Sequence, residues 1–144
     1  MSNPTIPTID AAAQQANIWI NELADMAHLE DRRQAYRLLR AGFHALRDWM
    51  NPDQAADFGA QLPTLLLGIY YEGWNPSATP IAERSRQQFV ARVQEAFEHD
   101  PLRHPEMAIE SFFALLNKHI SAGQLNQMRN ALQKPLRDLW PEAA

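Results

Sequence analysis

Sliding this chain along itself by 70 positions lays one apolar pattern over another. Trp19 falls on Phe89, Ile20 on Val90 and Leu23 on Val93. Further on, Leu39 meets Ile109, Phe43 meets Phe113, Leu46 meets Leu116 and Met50 meets Ile120. Phe58 then meets Met128, Leu62 meets Leu132, Leu66 meets Leu136, Ile69 meets Leu139 and Tyr70 meets Trp140. No gap is needed. A single helical phase would not survive this shift, because 70 is not a whole number of turns at about 3.6 residues each. Few paired residues are identical, so the repeat lies in the core pattern and not in the chemistry.

Each half reads as two longer helices and a broken third. In the first half, Trp19, Ile20, Leu23 and Ala27 mark one face of a helix that starts near Asp10. A second helix carries Tyr36, Leu39, Phe43, Leu46 and Met50 on one stripe. In "NPDQ", Asn51 suits a cap, Pro52 the first helical position, and Asp53 and Asp57 the early turns. Ser121 stands where the shift places a second cap. The third helix presents Ala55, Phe58 and Leu62 and is interrupted at Pro63, which lacks an N–H, so a short new helix is expected there.

The expected fold is therefore all-α: two tandem homologous three-helix repeats in one bundle, related by a pseudo-two-fold axis. Residues 1–144 form a single domain in this reading. Residues 1–9 are a loose arm, about 10–74 the first repeat, about 75–80 a linker and about 81–142 the second repeat.

The stretch "GIYYEGWNP", Gly68 to Pro76, follows from that plan. A helix over Leu65–Glu72 ends at Gly73, which turns left-handed without a Cβ penalty, and Trp74 is expected to fold back onto Ile69. Pro76 keeps the helix from resuming. The matching segment of the second half is "LRDLWPEA".

The string "AADFGAQLPTLLLGIYYEGWNP" resembles a bacterial family known only as domain of unknown function 2267. The likeness rests on the paired alanines, Gln61-Leu62-Pro63, Leu65-Leu66 and Tyr70-Tyr71-Glu72-Gly73-Trp74, with "HALRDWMNPDQAAD" and "LRDLWPE" similar too. It covers roughly residues 14–142. The resemblance implies an all-helical cytoplasmic protein and brings no established catalytic residues.

Chemistry is sparse. Without cysteine there is no disulfide framework, thiolate ligand or thiol nucleophile. The start "MSNPTIPTID" lacks a charged segment leading into an apolar run, and no apolar stretch approaches the roughly 20 residues of a membrane span, so a cytoplasmic location is expected. A net charge of -4 opposes bulk attraction to nucleic acid or anionic lipid. No G-x-S-x-G motif or glycine-rich phosphate loop is present, and five glycines leave little material for one. No enzyme activity and no cofactor are expected.

Five histidines raise the question of metal. Asp25-x-x-His28 has the carboxylate-to-histidine spacing of di-iron bundles, with Glu95-x-x-Glu98 at the shifted positions. Both Asp25 and His28 point roughly 140–200° from the stripe centred on Leu23, however, so they face water. In "EHDPLRHPE", Glu98, His99, Asp100, His104 and Glu106 lie in a proline-bounded surface turn with no readable support for a ligand set. No metal is expected.

One polar pattern stands out. Arg33, Arg37, Arg40, His44 and Arg47 recur at helical spacing and form a basic stripe beside Leu39 and Phe43. The shifted positions are Arg103, Met107, Glu110, Ala114 and Asn117, so the second half lacks it. Such a stripe can dock a protein partner with an acidic surface, or lie solvated and pair with Glu22, Asp25 and Glu30 of the helix before it. Tyr71 and Trp74 form a second docking candidate, because such residues carry interface energy well, against a packing role between the repeats. The resulting expectation is a non-enzymatic protein-interaction module. The alternative is a small-molecule sensor or carrier with a pocket between the repeats near Trp74.

Overall fold

A computed structural model describes residues 4–82, 84–132 and 134–140, and these are helical with no strand among them. The helices are α1 (Pro7–Met26), α2 (Arg32–Asp48), α3 (Pro52–Gly59), α4 (Thr64–Tyr71), α5 (Arg86–Glu95), α6 (Pro105–His119), α7 (Ala122–Ala131) and α8 (Lys134–Leu139). A single 3-10 turn, Pro76–Ala78, bridges α4 and α5. Residues Met1–Asn3 and Pro141–Ala144 lie outside the described residues, and with them part of the expected arm and the end of the second repeat.

The arm expected through residue 9 is shorter than that. α1 starts at Pro7, because a proline at the first helical position forfeits only an N–H that has no intrahelical partner anyway. Asn51 caps α3 as its pattern predicts: its side chain accepts from the Gln54 N–H at 2.8 Å, and Gln54 Oε1 accepts from the Asn51 N–H at 3.2 Å. Ser121 caps α7 by accepting from the Gln124 N–H at 3.4 Å, and its hydroxyl donates to Gln124 Oε1 at 3.1 Å. Pro63 directly precedes the new helix α4.

Helix α2 is the centre of the bundle, packed against α1, α4, α5 and α6. Its buried residues (Ala35, Leu38, Leu39, Ala41, Gly42, Phe43, Ala45, Leu46 and Arg47) run almost all round the helix. A one-sided stripe was therefore too narrow a description. Tyr36, expected on that stripe, lies outside it at 39% exposure. Gly42 makes the central position possible: a Cβ there would lie 2.8 Å from the Phe112 ring of α6. The helix accepts a residue that weakens it by roughly 0.5–1 kcal/mol so that the two elements can approach.

Aromatic rings tie the core together. Phe43 meets Tyr70 edge-on with centroids 5.9 Å apart, and Phe113 stacks on Trp140 at 4.6 Å. Phe112 joins the two groups, 5.5 Å from Phe43 and 5.2 Å from Phe113. Such ring pairs add about 0.5–1.5 kcal/mol each beyond their buried area.

Candidate functional site at the end of α4

The basic stripe and the Tyr-Tyr-Glu-Gly-Trp stretch, read separately in the sequence, meet in the structure. Helix α4 lies against the C-terminal half of α2, so its last carbonyls face His44 and Arg47. Glu72 (φ -56°, ψ 123°) and Gly73 (φ +71°) turn the chain, and the Trp74 N–H donates to the Tyr71 carbonyl at 3.1 Å. These angles and that bond make a type II turn, which requires a positive φ at its third residue. The glycine reading holds, and the Trp74 ring packs on Tyr71, with centroids 5.1 Å apart.

A helix of eight residues leaves its terminal carbonyls without intrahelical donors, and they carry the negative end of the helix dipole. Arg47, only 3% exposed, supplies the donors. Its Nη1 donates to the Tyr70 carbonyl at 2.9 Å and to the Glu72 carbonyl at 2.8 Å. Its Nε donates to Asp48 Oδ1 at 2.9 Å, and Asp48 Oδ2 also takes Arg92 Nη2 of α5 at 2.9 Å. One guanidinium thus fastens α2 to α4, and through Asp48 to α5. His44 Nε2 lies 2.7 Å from the Ile69 carbonyl, so the ring nitrogen facing it carries the hydrogen. Burial lowers the His44 pKa from 6.5, the Ile69 hydrogen bond works against that, and Arg47 and Arg40 lower it further. Arg40 reaches the Glu72 carboxylate at 3.3 Å.

These contacts correct the picture of five free basic side chains. Arg47 is buried and fully engaged, and His44 is half-buried and engaged, because both cap α4. The pairing expected with α1 is also displaced, since Glu22 is taken by Lys118 at 2.6 Å and His119 at 3.2 Å. At the other end of α2, Arg33 is exposed and its side chain has no partner among the described residues. Arg37 is half-buried with its guanidinium 5.4 Å from the Phe97 ring centroid.

Tyr71 and Trp74 are both half-buried. The Tyr71 ring lies 5.0 Å from Tyr70, and its hydroxyl would be 2.8 Å from a Cβ at Gly59. Tyr71 therefore packs the end of α4 against α3, and Trp74 packs on Tyr71. Tyr70 donates its hydroxyl to the Ala55 carbonyl at 2.7 Å, and burial pushes its pKa up, so it stays a phenol.

Asp25 and His28 are exposed at the end of α1. Asp100 accepts from Gln34 Nε2 at 2.6 Å, and Glu106 holds Arg86 through two hydrogen bonds that lower the pKa of its carboxyl. Among the described residues no three His, Asp or Glu side chains gather as a metal site. No described helix is long and apolar enough to cross a membrane.

Trp74 is not among the residues that line the cleft between the first and second halves of the chain. This cleft of about 450 Å³ opens between α3 and α7, lined by Met50, Gln54, Asp57, Ala60, Gln61, Gln124, Gln127, Met128 and Leu132. Sequence reasoning missed it because α3 and α7 were read only for the apolar faces they bury.

The architecture defines an all-helical bundle protein in which a basic helix face closes the end of a neighbouring helix. The chain belongs to the family described as an uncharacterized conserved protein (DUF2267), whose model matches residues 16–139. No curated protein matches it.

Proposed function

We propose that the protein is a non-enzymatic cytoplasmic interaction module that docks an acidic protein segment on the outer face of α2. The surface is smaller than the original stripe: Arg33, Tyr36, Arg37 and Arg40, with His44 and Arg47 serving the fold. The observation that carries this reading is Tyr36, a tyrosine 39% exposed between arginines at helical spacing. Tyrosine and arginine are the residue types that most often dominate binding energy. Within α2 the only acid is Asp48, at the far end and already paired, and among the described residues no carboxylate forms an ion pair with Arg33 or Arg37.

We further read the chain as a tandem duplication. In its support, α3 and α7 begin at 52 and 122, and α4 and α8 at 64 and 134. Phe43 and Phe113 are both fully buried, as are Leu66 and Leu136.

The test is capture from cell lysate by wild-type protein and by the Arg33→Glu/Arg37→Glu variant, quantified by mass spectrometry. A specific partner should be lost with the double variant and weaken with salt, while the melting temperature barely moves. Equal capture by both proteins removes the α2 face from consideration.

A further inference from the structure

The cleft between α3 and α7 has a composition suited to a different kind of ligand. Its volume, about 450 Å³, lies within the roughly 300–1,000 Å³ of small-molecule sites. Met50, Ala60, Met128 and Leu132 give it apolar walls, and methionine adapts to a flat or irregular body. Around them stand four glutamines and one acid, Asp57, with no lysine, arginine or histidine in the lining.

The engagement of these groups narrows the ligand. The Gln54 carbonyl oxygen is occupied by the Asn51 N–H, and that of Gln124 by the Ser121 hydroxyl. The side chains of Gln61, Gln127 and Asp57 have no partner among the described residues. The free acceptors are therefore two amide oxygens and a carboxylate.

An anion would find no cation here and would meet Asp57. The N-termini of α3 and α7 near the mouth do not reverse that, because Asn51 and Ser121 already take their third N–H groups. From this lining we propose that the α3–α7 cleft binds a small organic cation with an apolar body, its ammonium beside Asp57 and its body between Met50 and Met128. This site is separate from the α2 face and does not depend on it.

Three probes of one shape test the assignment: tryptamine, indole-3-acetamide and indole-3-acetate, titrated into the full-length protein and followed by amide NMR shifts. Tryptamine should give saturable shifts in α3 and α7, the acetamide weaker ones and the acetate none. Asp57→Asn should reduce tryptamine affinity roughly two- to fivefold, the size of an exposed ion pair, and bring it level with the acetamide. Ala60→Trp, which fills the cleft from an exposed position, should abolish the shifts. Any of four results overturns the proposal: no saturable shifts with tryptamine, shifts remote from the residues that line the cleft, acetamide or acetate binding as well as tryptamine, or binding that survives Ala60→Trp.

Discussion

Helices α4 and α8 begin 70 residues apart, and each has one large aromatic in the core at its end, Tyr70 within α4 and Trp140 directly after α8. Both residues are then held by the residue 23 positions earlier, but the chemistry differs. Arg47 donates to the backbone carbonyl of Tyr70, whereas Asn117 accepts from the indole N–H of Trp140 at 2.9 Å. The Trp140 carbonyl is satisfied by a different residue, Arg129 Nη2, at 3.0 Å. One apolar arrangement is thus closed by a buried charge in one place and by a neutral amide in the other. Hydrophobic packing fixes where the short helix lies, and the polar tether is interchangeable so long as each donor and acceptor is met.

The difference should be large when the tethers are cut. Arg47→Met leaves two helix carbonyls without their donor and takes one of two cations from Asp48, whose side chain is 13% exposed. A loss of about 3–5 kcal/mol in urea denaturation is expected, because removing one member of a buried pair strands the other. Asn117→Ala strands a neutral indole N–H and should cost about 1–3 kcal/mol. Equal losses would show that the two ends are held by packing alone.

Much of this fold was legible because its signals are local. A cap needs only Asn51 or Ser121 and a residue three further on, and a proline break needs only Pro63. The helical spacing of apolar positions carried much of the rest of the core. The role of the basic stripe was not legible, since its partners are backbone carbonyls of residues 69, 70 and 72, and a carbonyl leaves no mark on residue type. Spacing showed that His44 and Arg47 share a face but not what would lie against it. Phe112 on Gly42 was hidden for the same reason: a glycine inside a helix looks like a weakness until the neighbouring ring is in view.

The turn after α4 gives a smaller effect with a sign that can be checked. Gly73 has φ +71° and open space around it, so a Cβ there meets strain in the backbone and not a neighbour. Gly73→Ala should destabilise by about 1–2 kcal/mol. Gly68, also in open space but within the helix, should respond oppositely, with Gly68→Ala stabilising by about 0.5–1 kcal/mol. A thermal midpoint unchanged by Gly73→Ala would sink the turn assignment.

Acid should also separate the halves, since position 44 is histidine and position 114 alanine. Burial holds the His44 pKa below the 6.5 of an unfolded chain. The folded protein therefore binds that proton less readily than the unfolded one. The stability linked to His44 is fully present above pH 6.5 and declines as the pH falls below that value toward the lowered folded pKa. A His44→Gln variant, compared with wild type by thermal melts at neutral and mildly acid pH, should lose less on acidification. An identical decline in both proteins would place the acid response elsewhere.

The smallest effect belongs to Arg40 and Glu72, and it decides whether the two roles of α2 overlap. Their ion pair measures 3.3 Å, with side chains 44% and 48% exposed, so water screens it and both chains lose freedom in forming it. Arg40→Ala should change stability by about 0–1 kcal/mol, and a double-mutant cycle with Glu72→Ala should give a coupling in the same range. The second half has no such pair, because position 110 is a glutamate where position 40 is an arginine. A coupling well above 1 kcal/mol would tie Arg40 to the α4 cap alongside Arg47, leaving the docking face to Arg33, Tyr36 and Arg37. A coupling near zero would leave Arg40 free to exchange Glu72 for a partner's carboxylate at little cost to the fold.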